Sequence, residues 1–454
     1  MIPAHDDFWF LPLGGVGEIG MNMALYGHDE QWLMVDCGVT FRDSDGTNRS
    51  GYDVQCADPT FAIEHRDKLV ALVLTHAHED HIGAVAHLWP QLRCPIYTNA
   101  FTSAVLHRKL AEAGLVGKAP VNIVDMQEKL DIGVFSLEWV AHTHSVPSPA
   151  GLVIRTAVGN AFHTGDWKLD PAPQIGHDYS EAHYKQLGEQ GIDVMVCDST
   201  CANVPGRSAS EGEVYKGLLE TISQCENRVV VACFGSNIAR LHSLARIAAL
   251  TNRNMGLLGR SLRNNYSASV ECGLWELEGS IVESEHLAYL PPENLLLVAT
   301  GSQAEPRTAL FRLSQGRFRD LSLEPGDCVI LSSRAIPGNE QDINSMITRL
   351  TDMGVKVITP LTTDLVIHAS GHPARDELSD LYRWVQPDVL IPVHGESEHM
   401  DAQADFAKER GIDRSLVGQN GDLFTLAPGK SLRRRAVDIG RWGYNGKAMV
   451  KIDA

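Results

Sequence analysis

Residues 69 to 75 form an apolar, β-branched run, LVALVLT, of the kind that fills a buried strand, and within six further positions the chain places His76, His78, Asp80 and His81. The apolar spacing then turns helical in IGAVAHLW. A strand delivering three imidazoles and a carboxylate onto the loop before a helix leaves few folds open. Helical and strand-like segments alternate through most of the chain, so the class is α/β, and the loop offers nitrogen and oxygen donors of the types that zinc and manganese accept. A single histidine would read as an ordinary core or surface residue. Four ligand types at the mouth of one strand reverse that reading, and their split into His76 with His78 and Asp80 with His81 suggests two adjacent ions.

Two ions need further ligands. His144 follows the apolar stretch FSLEWVA, Asp166 follows AFHTG, and His394 follows VLIPV. Each stands where a strand-like segment ends in a turn, as expected when loops at one edge of a sandwich converge. His142 and His163 lie close to these positions and are set aside. His87, on the following helix, reads as packing or surface.

A second motif points elsewhere. Gly15, Gly17 and Gly20 in LGGVGEIGMN have the G-x-G-x-x-G spacing of a dinucleotide-binding turn, and Asp36 lies near the distance expected for a ribose-binding carboxylate. That fingerprint needs a helix after the glycines. MNMALYG and WLMVDCG are instead two strand-like stretches around a polar turn, so no nicotinamide or flavin cofactor is expected. The glycines are better explained as a tight turn between the first two strands.

At 454 residues the chain exceeds one ordinary core, so two domains, or one with an insertion, are expected. No run approaches the length of a membrane span, and no basic, apolar leader opens the chain. The nine cysteines form no C-x-x-C pair, which fits reduced thiols and a cytoplasmic setting. The net charge of -18 lends no support to nucleic-acid binding, although a metal-filled cleft with local arginines can hold a polyanion.

DCG at 36 to 38, THAHEDHIG at 75 to 83, HSVP at 144 to 147 and TGDWKLD at 164 to 170 together resemble the ordered motifs of the metallo-β-lactamase fold. DST at 198 to 200, FGSNIAR at 234 to 240, GRS at 259 to 261, TGSQAEP at 300 to 306, IPGNE at 336 to 340, HASGH at 368 to 372 and VHGE at 393 to 396 are similar to those of its β-CASP branch, and within it of the ribonuclease J family. The resemblance implies an αββα sandwich, residues 1–205 and 359–454, interrupted by an inserted β-CASP domain at 206–358. It assigns His76, His78 and His144 to one metal and Asp80, His81 and His394 to the other, with Asp166 bridging and Asp36 orienting ligands from behind. The family's usual metal is zinc, sometimes manganese.

The implied activity is hydrolysis of single-stranded RNA, in endonuclease or 5'-to-3' exonuclease mode, by a metal-bridging hydroxide. His372 is the expected proton donor to the leaving 3'-oxygen, with Asp198 orienting it. Ser236, Asn237, His368 and Ser370 are implied contacts to an RNA phosphate; taken alone, Ser236 and Asn237 read as an ordinary helix cap. The alternative is a small-molecule hydrolase of β-lactams, lactones or thioesters on the same scaffold. Ser148, Cys201 and Gly235 depart from the family's usual Asp, Asn and Ala, which touches substrate preference rather than the ligand set. The family normally carries a further C-terminal domain beyond the region matched here, so a homodimer is an open option rather than an implied one. Arg433 to Arg435 read as a solvated basic strand.

Overall fold

In the computed structural model, which describes residues 1–41, 51–275, 281–319, 321–336 and 338–452, the strand and loop expected around the histidines lie in the middle of an eight-stranded sheet. Its order is Ser431–Arg433, Leu423–Ala427, Phe8–Gly14, Met23–His28, Gln31–Val35, Leu69–Val73, Ile96–Thr98 and Val121–Ile123. Facing it is a six-stranded sheet ordered Val389–Val393, Val194–Asp198, Asn160–His163, Ala150–Arg155, Phe135–Ala141 and Lys129–Ile132. Alternate residues of both sheets, among them Phe10, Tyr26, Leu33, Ala71, Leu137, Leu152, Val196 and Ile391, fill one shared core. That is period-two burial from two sheets packed face to face.

Helices cover the outer faces. Val85–Leu92 and Ala100–Glu112 pack over the first sheet, while Glu181–Gln190 and Arg375–Val385 lie over the second with Trp167, Tyr184 and Trp384 between. A separate five-stranded sheet is built wholly from the middle of the chain, in the order Asn254–Leu258, Leu295–Ala299, Val229–Ala232, Cys328–Leu331 and Lys356–Ile358. All its strands are parallel, and both faces are buried against helices, which explains why VVVA and LLLVA carry no polar alternation. The chain then returns, and Val389–Val393 pairs in parallel with Val194–Asp198 across nearly two hundred residues of sequence. This pairing brings Asp198 and the HASGH and VHGE loops to the edge that carries the histidines.

The glycine fingerprint folds as a turn. Met23–His28 runs antiparallel to Phe8–Gly14, and Gly15, Gly17 and Gly20 all have positive φ. A strand follows the glycines where a dinucleotide-binding turn would lead into a crossover helix. The turn serves the other site: the Gly15 carbonyl accepts the backbone N–H of His394 at 2.7 Å. Ser210 opens Glu211–Ser223 with the capping box expected from S-x-x-E. No helix among the described residues is long and apolar enough to cross a membrane, and all nine cysteines are free thiols. Arg434 is spent on Asp422 at 2.8 Å. Pro337 of IPGNE and the terminal Ala454 lie outside the described residues.

Candidate metal centre and its acid dyad

The loop after Leu69–Val73 is held from below by DCG. Asp36, at φ 61°, accepts the backbone N–H of Thr75 at 2.8 Å, the Thr75 hydroxyl at 2.9 Å and His81 Nδ1 at 2.8 Å. Cys37 N–H donates to the His81 carbonyl at 2.7 Å. Gly38 passes so close that a Cβ there would stand 1.7 Å from the Asp80 carbonyl oxygen, so only glycine admits the loop in this position. His394 also has positive φ, 52°, at the end of its strand. Left-handed backbone at two non-glycine site residues is strain of the sort that surrounding structure must enforce.

The resulting side chains fall into two groups that share one residue. His76 Nε2 and His144 Nε2 lie 3.0 and 3.1 Å from His78 Nδ1, and both stand 3.7 Å from Asp166 Oδ2. On the other side His81 Nε2 and His394 Nε2 are 3.6 and 3.2 Å from Asp80 Oδ2, and His81 Nε2 is 3.3 Å from Asp166 Oδ1. The two oxygens of Asp166 therefore face different clusters.

The chemistry of these donors fits divalent metal. The outer nitrogen of nearly every histidine is engaged: His76 Nδ1 donates to the Thr75 hydroxyl at 3.0 Å, His81 Nδ1 to Asp36, His144 Nδ1 to the Gly371 carbonyl at 2.5 Å and His394 Nδ1 to the Thr200 hydroxyl at 2.9 Å. These bonds set the tautomers and turn the lone pairs inward, as partners behind metal ligands do. With their protons on Nδ1, His76 and His144 both turn an accepting Nε2 toward His78 Nδ1, which can donate to only one of them, and Asp166 Oδ1 is buried with no hydrogen-bond partner. Burial, together with mutual repulsion, holds the first three histidines neutral, His78 at about 4. Burial pushes Asp80 and Asp166 upward, but His81 and His394 outweigh it and keep both carboxylates ionised. Substituting Asp36 by alanine should weaken metal binding roughly 10- to 100-fold, the scale for removing a partner behind a ligand, in competition with a chromogenic chelator.

Beside the clusters, His372 Nδ1 lies 2.7 Å from Asp198 Oδ2, and the His372 side chain is 20% exposed where Asp198 is sealed. The ring sits 5.1 Å from that of His144 and 5.5 Å from that of His394. Burial alone would lower the imidazole's pKa; the Asp198 charge and hydrogen bond outweigh it and raise it. Asp198 is itself fixed by Thr200, whose backbone N–H donates to Oδ1 at 2.9 Å.

The residues expected at a phosphate contact divide. Asn237 caps Ile238–Leu250 by accepting the Arg240 N–H, the plain role its sequence position suggests, and Ser236 precedes it. Ser370 Oγ accepts the His372 backbone N–H at 3.1 Å and lies 3.5 Å from Cys201 Sγ. His368 Nδ1 is buried without a hydrogen-bond partner. Gly235 packs against Ser261 of GRS, where a Cβ would come within 2.4 Å of Oγ. The histidines left out of the ligand set have other partners: His142 binds Tyr184 at 2.6 Å, His163 lines the cavity beside Asp36, His81, Asp166 and His394 but binds Tyr26 at 3.0 Å through Nδ1, and His87 packs on Tyr444. Sequence reasoning gave no role to Thr75, Thr200 or Asn22, whose Nδ2 donates to the Asp80 carbonyl at 3.1 Å. All three sit inside quoted motifs, which was the available signal.

Two facing sheets flanked by helices, a histidine- and aspartate-rich edge and an inserted parallel sheet define a metallo-β-lactamase-fold protein with a β-CASP domain. Family models agree: the metallo-beta-lactamase superfamily matches residues 16–178, the ribonuclease J beta-CASP domain residues 226–350, and the Zn-dependent metallo-hydrolase RNA specificity domain residues 365–416. The chain is 41% identical to ribonuclease J of Sinorhizobium meliloti over 93% of its own length and 75% of that protein's, and 37% identical to ribonuclease J of Mycolicibacterium smegmatis over 96% and 77%. It belongs to the ribonuclease J family. A crystal structure of a protein of unknown function from Enterococcus faecalis shares the fold at a TM-score of 0.63 and 17% identity, covering 92% of this chain and all of that one.

Proposed function

We propose that this chain is a metal-dependent ribonuclease that hydrolyses phosphodiester bonds of single-stranded RNA, with zinc as its metal, manganese as substitute, and the cytoplasm as its setting. The observation that carries the reading is the His372–Asp198 dyad standing over two donor clusters joined by Asp166. His76, His78, His144 and Asp166 would hold one ion, and Asp80, His81, His394 and Asp166 the second. Bound divalent ions supply an acidified water and charge for the scissile phosphate.

The chain's own groups do the rest. Asp198 keeps the His372 proton on Nδ1 and stabilises the imidazolium, leaving Nε2–H to be given to the departing 3'-oxygen. In this reading Ser236, Asn237, His368 and Ser370 meet a substrate phosphate, the first two from the start of Ile238–Leu250 and the others from the loop that carries His372. The division of the chain near 205/206 and 358/359 belongs to the same proposal, supported by the parallel sheet that begins and ends between those points.

The test is turnover of 5'-monophosphorylated and 5'-triphosphorylated RNA, beside DNA and a chromogenic β-lactam, with and without added metal. RNA cleavage abolished by chelation is expected, and a preference for one 5' end would set the exonuclease mode. Cleavage of the β-lactam alone would overturn the reading.

A further inference from the structure

The motif TGDWKLD contains two charged residues beyond the one assigned to metal, and their positions are informative. Lys168 is almost sealed from solvent, its side chain 2% exposed. Its ammonium donates to the Ala209 carbonyl at 2.6 Å and to the Ser370 carbonyl at 3.2 Å, and it lies 3.4 Å from Asp170 Oδ2. A buried ammonium is costly unless its donors are used, and here all three are placed.

The backbone of Lys168 is tied equally firmly. Its N–H donates to the Thr143 carbonyl at 2.8 Å, and its carbonyl accepts the Thr143 hydroxyl at 2.8 Å, fixing it beside His144. Ser370, held at its carbonyl by Lys168, caps the His372 backbone N–H with its hydroxyl. Asp170 in turn accepts the backbone N–H of Glu211 at 2.8 Å, at the start of Glu211–Ser223. One cation thus connects the loop carrying Asp166, the loop carrying His372 and the entry to the middle segment of the chain.

We infer that Lys168 is a positioning residue, whose ammonium, by holding the Ser370 carbonyl, sets the place of His372 over the scissile bond. The inference rests on the reading of His372 as the proton donor. It goes further in assigning to a residue that touches neither substrate nor metal the alignment on which proton transfer depends. Proton donation requires hydrogen-bond reach to the leaving oxygen, so a loop released at Ser370 would cost proton transfer while leaving the donor clusters intact.

The experiment compares two phosphodiesters. RNA has a poor alkoxide leaving group that needs a proton, whereas bis(p-nitrophenyl) phosphate expels a phenolate that does not. With Lys168→Met, kcat on RNA is expected to fall roughly 100-fold, the lower end of the acid–base contribution. KM, bound metal per chain and the p-nitrophenyl rate should stay within about threefold. Lys168→Gln, a neutral donor of shorter reach, should fall between wild type and Lys168→Met, and serves if the methionine variant is not soluble. His372→Gln is the reference: it should lose RNA turnover and keep p-nitrophenyl turnover, and failure there refutes the acid reading itself. If His372→Gln behaves so but the Lys168 variants keep RNA turnover, or lose both rates together or lose metal, the positioning role is wrong.

Discussion

Asp166→Ala should lower RNA hydrolysis by roughly 10²- to 10³-fold, the scale at which losing one preorganised charge-stabilising group is felt, and it should do so with a larger loss of metal than any other single substitution at the site. The reason is positional. Among the histidines, Asp80 Oδ2 approaches His81 and His394, whereas Asp166 presents one oxygen to each cluster. Asp80→Ala should therefore leave the His76, His78 and His144 nitrogens able to hold an ion, while Asp166→Ala weakens both positions. Metal stoichiometry by atomic emission after gel filtration separates these outcomes. Full RNase activity in a purified, metal-counted Asp166→Ala protein would refute the shared-carboxylate arrangement.

The histidine loop could be read because chemistry and periodicity coincided there: LVALVLT ends as a buried strand, and ligand types follow at once. His144, Asp166 and His394 were legible for the same reason, each lying at a strand end. What could not be read was the layer behind them. Thr75, Thr200 and the Gly371 carbonyl orient His76, His394 and His144, but hydroxyls and carbonyls carry no residue-type signal, and their role appears only when strands far apart in sequence are paired. The opening glycines show the converse. Their spacing matches a phosphate-binding turn, yet the residues after them are strand formers, and pairing of Met23–His28 with Phe8–Gly14 turns the same backbone toward His394. Asn237 marks the limit of motif reading: the helix cap and the phosphate contact predict the same residue type, and the cap is what its side-chain oxygen makes here.

The net charge of -18 does not say where individual charges sit. Two buried cations, Lys168 and Arg240, brace the site's surroundings from within. Arg240, fully buried, grips Glu211 in a fork, Nε to Oε2 at 3.0 Å and Nη2 to Oε1 at 2.8 Å. Its Nη1 also donates to the Ser332 carbonyl at 3.0 Å and to the Ser332 hydroxyl, which donates to the Ile367 carbonyl at 2.6 Å just before HASGH. The pair therefore pins the parallel sheet to the loop that carries His372.

Removing one partner of such a pair leaves an uncompensated buried charge, so Arg240→Met should destabilise the protein by about 3–5 kcal/mol. The pH dependence follows from Glu211. Burial raises its pKa, but the Arg240 charge and hydrogen bonds outweigh burial and lower it below the usual glutamate value. A depressed carboxylate contributes stability that is present above its unfolded pKa and is lost as pH falls through the folded one. The gap between wild type and Arg240→Met should accordingly be widest near neutral pH and close on acidification below the ordinary glutamate range. Glu211→Gln in the Arg240→Met background should recover part of the loss, because it removes the orphaned charge. Hydrogen exchange read segment by segment is the fitting measurement for a chain with more than one core. The largest increase is expected in Glu211–Ser223, Ile238–Leu250 and the 367–372 loop, and uniform exchange across both facing sheets instead would show that the pair supports the whole fold rather than this junction.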